Sequence, residues 1–523
     1  MSRLASYATL DAQTVVNYLE TVRLVPQGGK DPLPTSWLGA QVLQWRKNHS
    51  MAVTLVALGF VYSVHNVIAP NLTAIAKNFK FNDFERDEYI GGELTLFFYM
   101  PGIFVAILFG MLSAFMSRRL LFTVVIAITA TACFSTTFVS NFTQLAVTRT
   151  ITGFGIGGAL PIVYSMVGDW FPAERRSSGT AYVTAACGIG VFFGQCIAAL
   201  TGTIDWRWPF VVCAVPMFFL AGVIYFITED PQRGGAEESI QNLQQQTGME
   251  YSPNVTTGYL KSTFANRTNI LVVLQAFPGN VPWGVVLVYL SDFLVQDIGL
   301  SQEESLVCVA VMAGSAFCGV LFGGWLGEYL YAKDPKCLAI FVALNTSLRA
   351  IPFFFIFGWV HWFGPLQPHQ HFYFYVLLTV AGFVSSMASP GMGAMLLNVN
   401  LPETRGTVFA IYSVLDDLSK GFGTLFVSMI VPYVGGRAFA YQLALMIWVV
   451  CGLALLPSCF TLSDDEAAMK DSLNEAAMES IVRVSKVKAH AALKGQCALA
   501  GQAVDQKRAK HSAFPASFTT KTM

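Results

Sequence analysis

The chain has 523 residues, of which 54% are hydrophobic and only 12% charged, with mean hydropathy +0.53; a soluble domain carries about 25% charge. Its 32 basic and 32 acidic residues cancel, so the balance gives no reason to expect a nucleic-acid partner. The ten cysteines have no metal-ligand or disulfide-framework spacing, and most lie inside apolar runs, as Cys133, Cys187, Cys213, Cys318 and Cys451 do, which makes them small packing residues.

Residues 1–49 are polar, lack the apolar stretch of a signal peptide, and read as a cytoplasmic tail. A run of about 20 apolar residues spans a bilayer core. Such runs fall at 50–76, 90–113, 119–139, 143–168, 181–202 and 208–228. A polar linker, 229–267, follows. The runs then resume at 268–292, 304–327, 337–360, 372–397, 406–432 and 438–461, ahead of a polar, basic tail at 462–523. Within that tail Met469, Leu473, Ala477 and Ile481 give one apolar stripe, the mark of a helix lying on a surface. The joints are short and carry Gly, Pro, Asn or Asp, so successive helices are expected to be antiparallel neighbours. The predicted fold is an all-α polytopic membrane protein of about twelve transmembrane helices, in a six-helix bundle at 50–228 and another at 268–461.

The two halves carry related punctuation. Gly110 through Arg118 and Arg119 closes the second run, and Gly323 through Glu328 to Lys333 closes the eighth. Glu174 to Thr180, with Arg176, follows the fourth run, and Glu403-Thr-Arg405-Gly406 follows the tenth. Two repeated six-helix halves around a midplane site are the architecture of a secondary transporter. Basic residues set the orientation: the joints on the side of the tails and linker hold ten, the opposite joints five. Tails and linker are therefore expected to be cytoplasmic.

An ionisable side chain at the bilayer centre costs about 2.5–3.5 kcal/mol, so each one needs a partner or a wet cavity. The substrate and coupling candidates are His65 and Asn66 in the first run, Glu93 in the second, Arg149 in the fourth, Arg349 in the ninth, and Asp416, Asp417 and Lys420 in the eleventh. Asp416 and Lys420 are four apart on one face and are expected to pair. That leaves Asp417 to bind a proton or to meet Arg349. Such groups serve equally as ion pairs holding helices together. In the seventh run Pro278 and Pro282 free backbone groups, which lets Gln275, Asn280 and Trp283 face a substrate; a structural kink is the alternative reading. His369 and His371 lack a third ligand, so no metal is expected.

The fourth run reads Arg149, Gly153, Gly155, Gly157, Pro161, with glycines that permit close helix contact and a proline that loosens the ladder. This stretch resembles the fourth-helix signature of the major facilitator superfamily. Gly110, Leu112, Ser113, Arg118 and Arg119 resemble that superfamily's loop between the second and third helices, although Ala114 stands where the family has an acidic residue. The family's acidic residue helps latch one state shut, so the resemblance implies a latch weakened or relocated here, with Glu328 as an acidic counterpart in the second copy. A narrower resemblance, to the Spinster-like branch with its plant and algal relatives, rests on several stretches. These are Gly168-Asp169, Asp205 to Phe210, Glu229 to Gly234, Gln275 to Gly284, and Asn398 to Gly406 with Asp416-Asp417. It runs from about 50 to 465. Ile156 stands where animal Spinster proteins are acidic, which argues against lipid export.

The sequence therefore describes a monomeric secondary carrier, set among membrane lipid, for a small organic or lipid-like solute. It is expected to work by alternating access, either as a uniporter or coupled to a proton, and to need no other cofactor. A transport-inactive receptor on the same fold and a membrane-embedded enzyme are the rivals. No clustered catalytic motif supports the enzyme.

Overall fold

The computed structural model describes residues 37–476 and 478, apart from 66, 83–84, 86–88, 91–92, 203, 239 and 242–265. Asn66, Ile481, Ala477 and most of the linker thus lie outside the described residues. Twelve helical passes follow in order: α1 (Trp37–Ser63), α2 (Leu94–Leu112), α3 (Arg118–Ser135), α4 (Phe142–Trp170), α5 (Arg176–Thr201), α6 (Trp208–Ile227), α7 (Arg267–Gln296) and α8 (Gln302–Lys333). Then come α9 in two segments (Pro335–Leu348 and Ala350–Phe363), α10 in two segments (His371–Ser386 and Ala388–Asn398), α11 (Arg405–Ile430) and α12 (Arg437–Leu455). A last helix, α13, covers 458–476. By length and apolar composition nine helices among the described residues qualify as membrane spans. The chain is an integral, multi-pass membrane protein.

Local sequence starts these helices where they start. Asn141 caps α4 by accepting from Gln144 N at 2.9 Å, and Asn266 caps α7 through Asn269 N at 2.9 Å. Ser301 and Glu304 form a reciprocal box at the head of α8. Asp334 with Pro335 opens α9.

The two halves repeat one another in packing. Helix α2 lies on α4 as α8 lies on α10, α1 on α5 as α7 on α11, and α3 on α6 as α9 on α12. Small residues bring these pairs into backbone contact: a Cβ on Gly153 would sit 1.9 Å from the Phe98 carbonyl oxygen, and one on Gly319 would sit 2.2 Å from that of Phe383.

Between the halves, α2 and α4 pack on α11, and α5 packs on α8 and α10. The apolar core joins the N-terminal half to Leu338, Val342, Leu396, Val408 and Phe409, all at the linker-side ends of their helices. Residues at the opposite ends of the C-terminal helices, among them Val285, Phe293, Phe353 and Trp448, form a separate core. The halves are thus fused on the linker side and parted on the far side.

Candidate functional site at the centre of the bundle

Helix α1 stops at Ser63, and residues 64, 65, 67 and 68 are not helical ahead of a short turn and the helix Leu72–Phe79. His65 sits in that gap. Its Nε2 lies 3.2 Å from the Tyr99 hydroxyl, and its ring stacks on Tyr62 and meets Phe98 edge-on. The gap also exposes carbonyls, and Arg149 takes them: Nη1 donates to Val64 O at 3.2 Å and Nη2 to His65 O at 3.4 Å. The Arg149 guanidinium lies over the Phe98 ring, 4.6 Å from its centroid.

The C-terminal half has a counterpart. Helix α9 is interrupted at Arg349, whose Nη2 donates to Gly279 O at 3.3 Å, and whose guanidinium lies 4.5 Å from the Trp448 ring centroid. Trp448 Nε1 donates to the same carbonyl at 2.7 Å. Gly279 O, which lies between the two prolines of α7, thus accepts from side chains of two other passes. The helix itself runs unbroken from Arg267 to Gln296.

Facing both is α11. Lys420 Nζ is 2.6 Å from Asp416 Oδ2 and 3.6 Å from Asp417 Oδ1. The pairing of Asp416 with Lys420 is as expected. Asp417, however, shares the same ammonium and does not meet Arg349, because its position three residues before Lys420 leaves the long lysine chain able to reach both carboxylates. These residues act on each other electrostatically: His65 feels Lys420 and Arg149, Tyr99 feels Asp417, and Arg349 feels Tyr412 and Asp416.

The other sequence candidates lie around this centre or apart from it. Trp283 lies beside Trp448, with ring centroids 6.5 Å apart. Asn280 donates its amide to Ala276 O at 2.9 Å, one turn back along α7. Gln275 is buried against Gly279, its Oε1 without a partner. Glu93 heads α2 and forms no ion pair or hydrogen bond with the central groups. Pro161 is inside α4, which continues to Trp170, and Gly155 packs against Thr129 of α3.

A second polar assembly closes the linker side. Arg118 pairs with Asp169 and, at 3.2 Å, with Asp230. Asp169 also accepts from Arg405 Nη1 at 3.1 Å and from Gly234 N at 3.0 Å. Glu237 Oε1 accepts from both Arg176 and Arg405. Burial on its own pushes the Glu237 carboxyl up, but the two guanidiniums win and hold it at about 2. Arg176 Nη1 reaches Asn398 Oδ1 at 3.0 Å, Arg119 binds Thr228 O, and Arg233 donates to Ser113 O and Met116 O. Gly110 of α2 lies against Gly406 and Ala410 of α11, close enough that a Cβ would meet Gly406 O at 2.7 Å. Glu328 of α8 joins Ser178 and, at 3.6 Å, Arg175 of the other half. Glu403 is buried at the same seam. The carboxylates that face the arginines of this seam are those of Asp169, Asp230 and Glu237. Sequence reading gave no role to Glu237, Asp230 or Asn398. No local signal singled them out, since carboxylates and amides are ordinary at polar joints.

Three comparisons bear on this geometry. The Major Facilitator Superfamily profile matches residues 52–367. The hexuronate transporter of Bacillus subtilis is 25% identical over 213 residues, 40% of this chain and 49% of that one. The protein spinster of Drosophila melanogaster is 24% identical over 279 residues, 51% of this chain and 44% of that one. The chain thus spans about half the length of these two relatives. Among solved structures, the human organic anion transporter MFSD10 superposes with a TM-score of 0.61 at 15% identity, over 78% of this chain and 99% of that one, which is a likeness of fold.

Proposed function

The chain belongs to the major facilitator superfamily, and from that premise we propose that it moves a small organic solute through the central site, the two bundles rocking so that each membrane face reaches the site in turn. One observation carries the reading. Helix α11, which carries Asp416, Asp417 and Lys420, packs on α2 and α4 within electrostatic reach of His65 and Tyr99, while the halves are joined on the linker side and separate on the far side. This is one state of a carrier, loaded from the far side. With the basic joints on the linker side, that side is cytoplasmic, and the carrier works as a monomer.

Coupling to a proton is assigned to Asp417. It makes the longer contact with Lys420, 3.6 Å against 2.6 Å for Asp416, and its side chain is the more exposed, 39% against 25%. Glu93 is the second position. Purified protein in liposomes, assayed for counterflow of a labelled solute, tests the carrier reading. Tight binding without exchange favours a receptor instead, and chemical turnover of the bound solute favours an enzyme.

A further inference from the structure

The centre holds more positive than negative charge. Three cations, Arg149, Arg349 and Lys420, stand against Asp416 and Asp417, and both carboxylates lie at the Lys420 ammonium. Arg149 is 4% exposed and Arg349 is 9% exposed. Neither forms an ion pair with any described residue, and the Nε of each has no partner. Asp416, the carboxylate that Arg349 feels, is the one engaged most closely by Lys420.

A guanidinium does not shed its proton to escape burial. Burying one without a counter-ion costs several kcal/mol. Carbonyl oxygens and ring faces soften that cost but carry no net charge to cancel it. A purely structural cap for the Val64, His65 and Gly279 carbonyls needs only a neutral donor, such as an amide. Here each half instead holds a planar cation, braced by an aromatic ring and by backbone carbonyl oxygen from the first pass of its own half. The fork geometry suits a planar oxyanion.

We propose that the transported solute is a small organic anion, bound through a carboxylate by the Arg149 and Arg349 pair as the halves come together. The Trp283 ring, beside Trp448, is left for its uncharged body. This rests on the carrier reading and adds the charge of the cargo to it.

The test uses full-length protein and two sets of probes that differ only in charge: D-glucuronate, D-glucose and D-glucosamine, then nicotinate and nicotinamide. Thermal stabilisation is measured at constant ionic strength, followed by counterflow in liposomes. Glucuronate or nicotinate should stabilise the protein at millimolar concentration, and the neutral and cationic members should not. Arg149→Gln and Arg349→Gln keep an amide donor for the carbonyls and should each weaken that response at least tenfold. Arg149→Lys and Arg349→Lys keep the charge and should retain part of it, which separates loss of charge from loss of fold. A response to the neutral or cationic members, or no response to either carboxylate, overturns the anion assignment and leaves the carrier reading standing. Stabilisation by a carboxylate without counterflow supports the anion site and removes the carrier reading.

Discussion

Arg405 at the head of α11 donates to Asp169 at the foot of α4, 3.1 Å across the seam between the halves. The same arginine shares Glu237 Oε1 with Arg176, so a residue of the linker is wedged between the two bundles. All of these groups are buried, and for them to separate the bundles must part on the linker side.

Replacing Glu237 by Gln leaves two buried guanidiniums facing a neutral group. Removing one partner of a buried ion pair costs about 3–5 kcal/mol, here taken from the state closed on the linker side. A cysteine in place of Tyr164, whose ring stacks on Phe409 across the seam with centroids 4.1 Å apart, should be alkylated much faster in Glu237→Gln than in the parent. Equal rates would mean that Glu237 is not holding the seam.

The pH dependence of this contact follows from its depressed carboxyl. Its folded value of about 2 lies below the ordinary glutamate value of roughly 4.3. Its stabilisation is therefore complete above the ordinary value and is lost only as pH falls from there through about 2. Alkylation of the Tyr164→Cys probe should be flat between pH 6 and 8 as far as this latch is concerned. A step near neutrality that disappears in Glu237→Gln contradicts the assignment.

Helix contact supplies a sharper structural test. Gly153→Ala forces a methyl to within 1.9 Å of a carbonyl oxygen on α2, whereas Gly222→Ala meets nothing within 4 Å. The first should cost about 1–3 kcal/mol through overpacking and lower the melting temperature in detergent. The second should be neutral or slightly stabilising.

For coupling, Asp417→Asn should abolish accumulation driven by a pH gradient and leave exchange between equal compartments, because exchange needs no net proton release. Normal pH-driven accumulation in both Asp417→Asn and Glu93→Gln would exclude proton coupling through these groups. Arg149→Ala should lose transport, and Arg149→Lys should be impaired, since a point charge does not copy a planar fork.

The apolar runs and their repeated punctuation were enough to find the two halves and most helices, because bilayer thickness imposes run length and the repeat imposes pairing; the first run, expected over 50–76, is instead a helix from Trp37 to Ser63, a break, and a short helix Leu72–Phe79. The interruptions were legible only in part. Pro352 and Pro390 each lie three residues beyond a break, at Arg349 and Met387, and remove the donor for the last carbonyl of the segment before it, yet α7 carries two interior prolines and stays continuous. Tertiary contacts decide the difference. Gly279 O finds donors on Trp448 and Arg349, two other passes that no local pattern links to α7. The central charges were found by their cost in lipid. Their partners were found less well: Lys420 reaches both aspartates, and Glu237 comes from a polar linker where a carboxylate is unremarkable by composition.

The central claim is that the halves rock about the site, so that one face opens as the other closes. Distances between paired spin labels report this directly. One pair sits on the far side at Phe138 and Tyr433, the other on the linker side at Phe115 and Lys333, all in exposed positions. In liposomes, Glu237→Gln should populate shorter distances for the far-side pair and longer distances for the linker-side pair, in equal proportion. Distances that stay fixed in both pairs, or that lengthen in both together, would contradict alternating access by this chain.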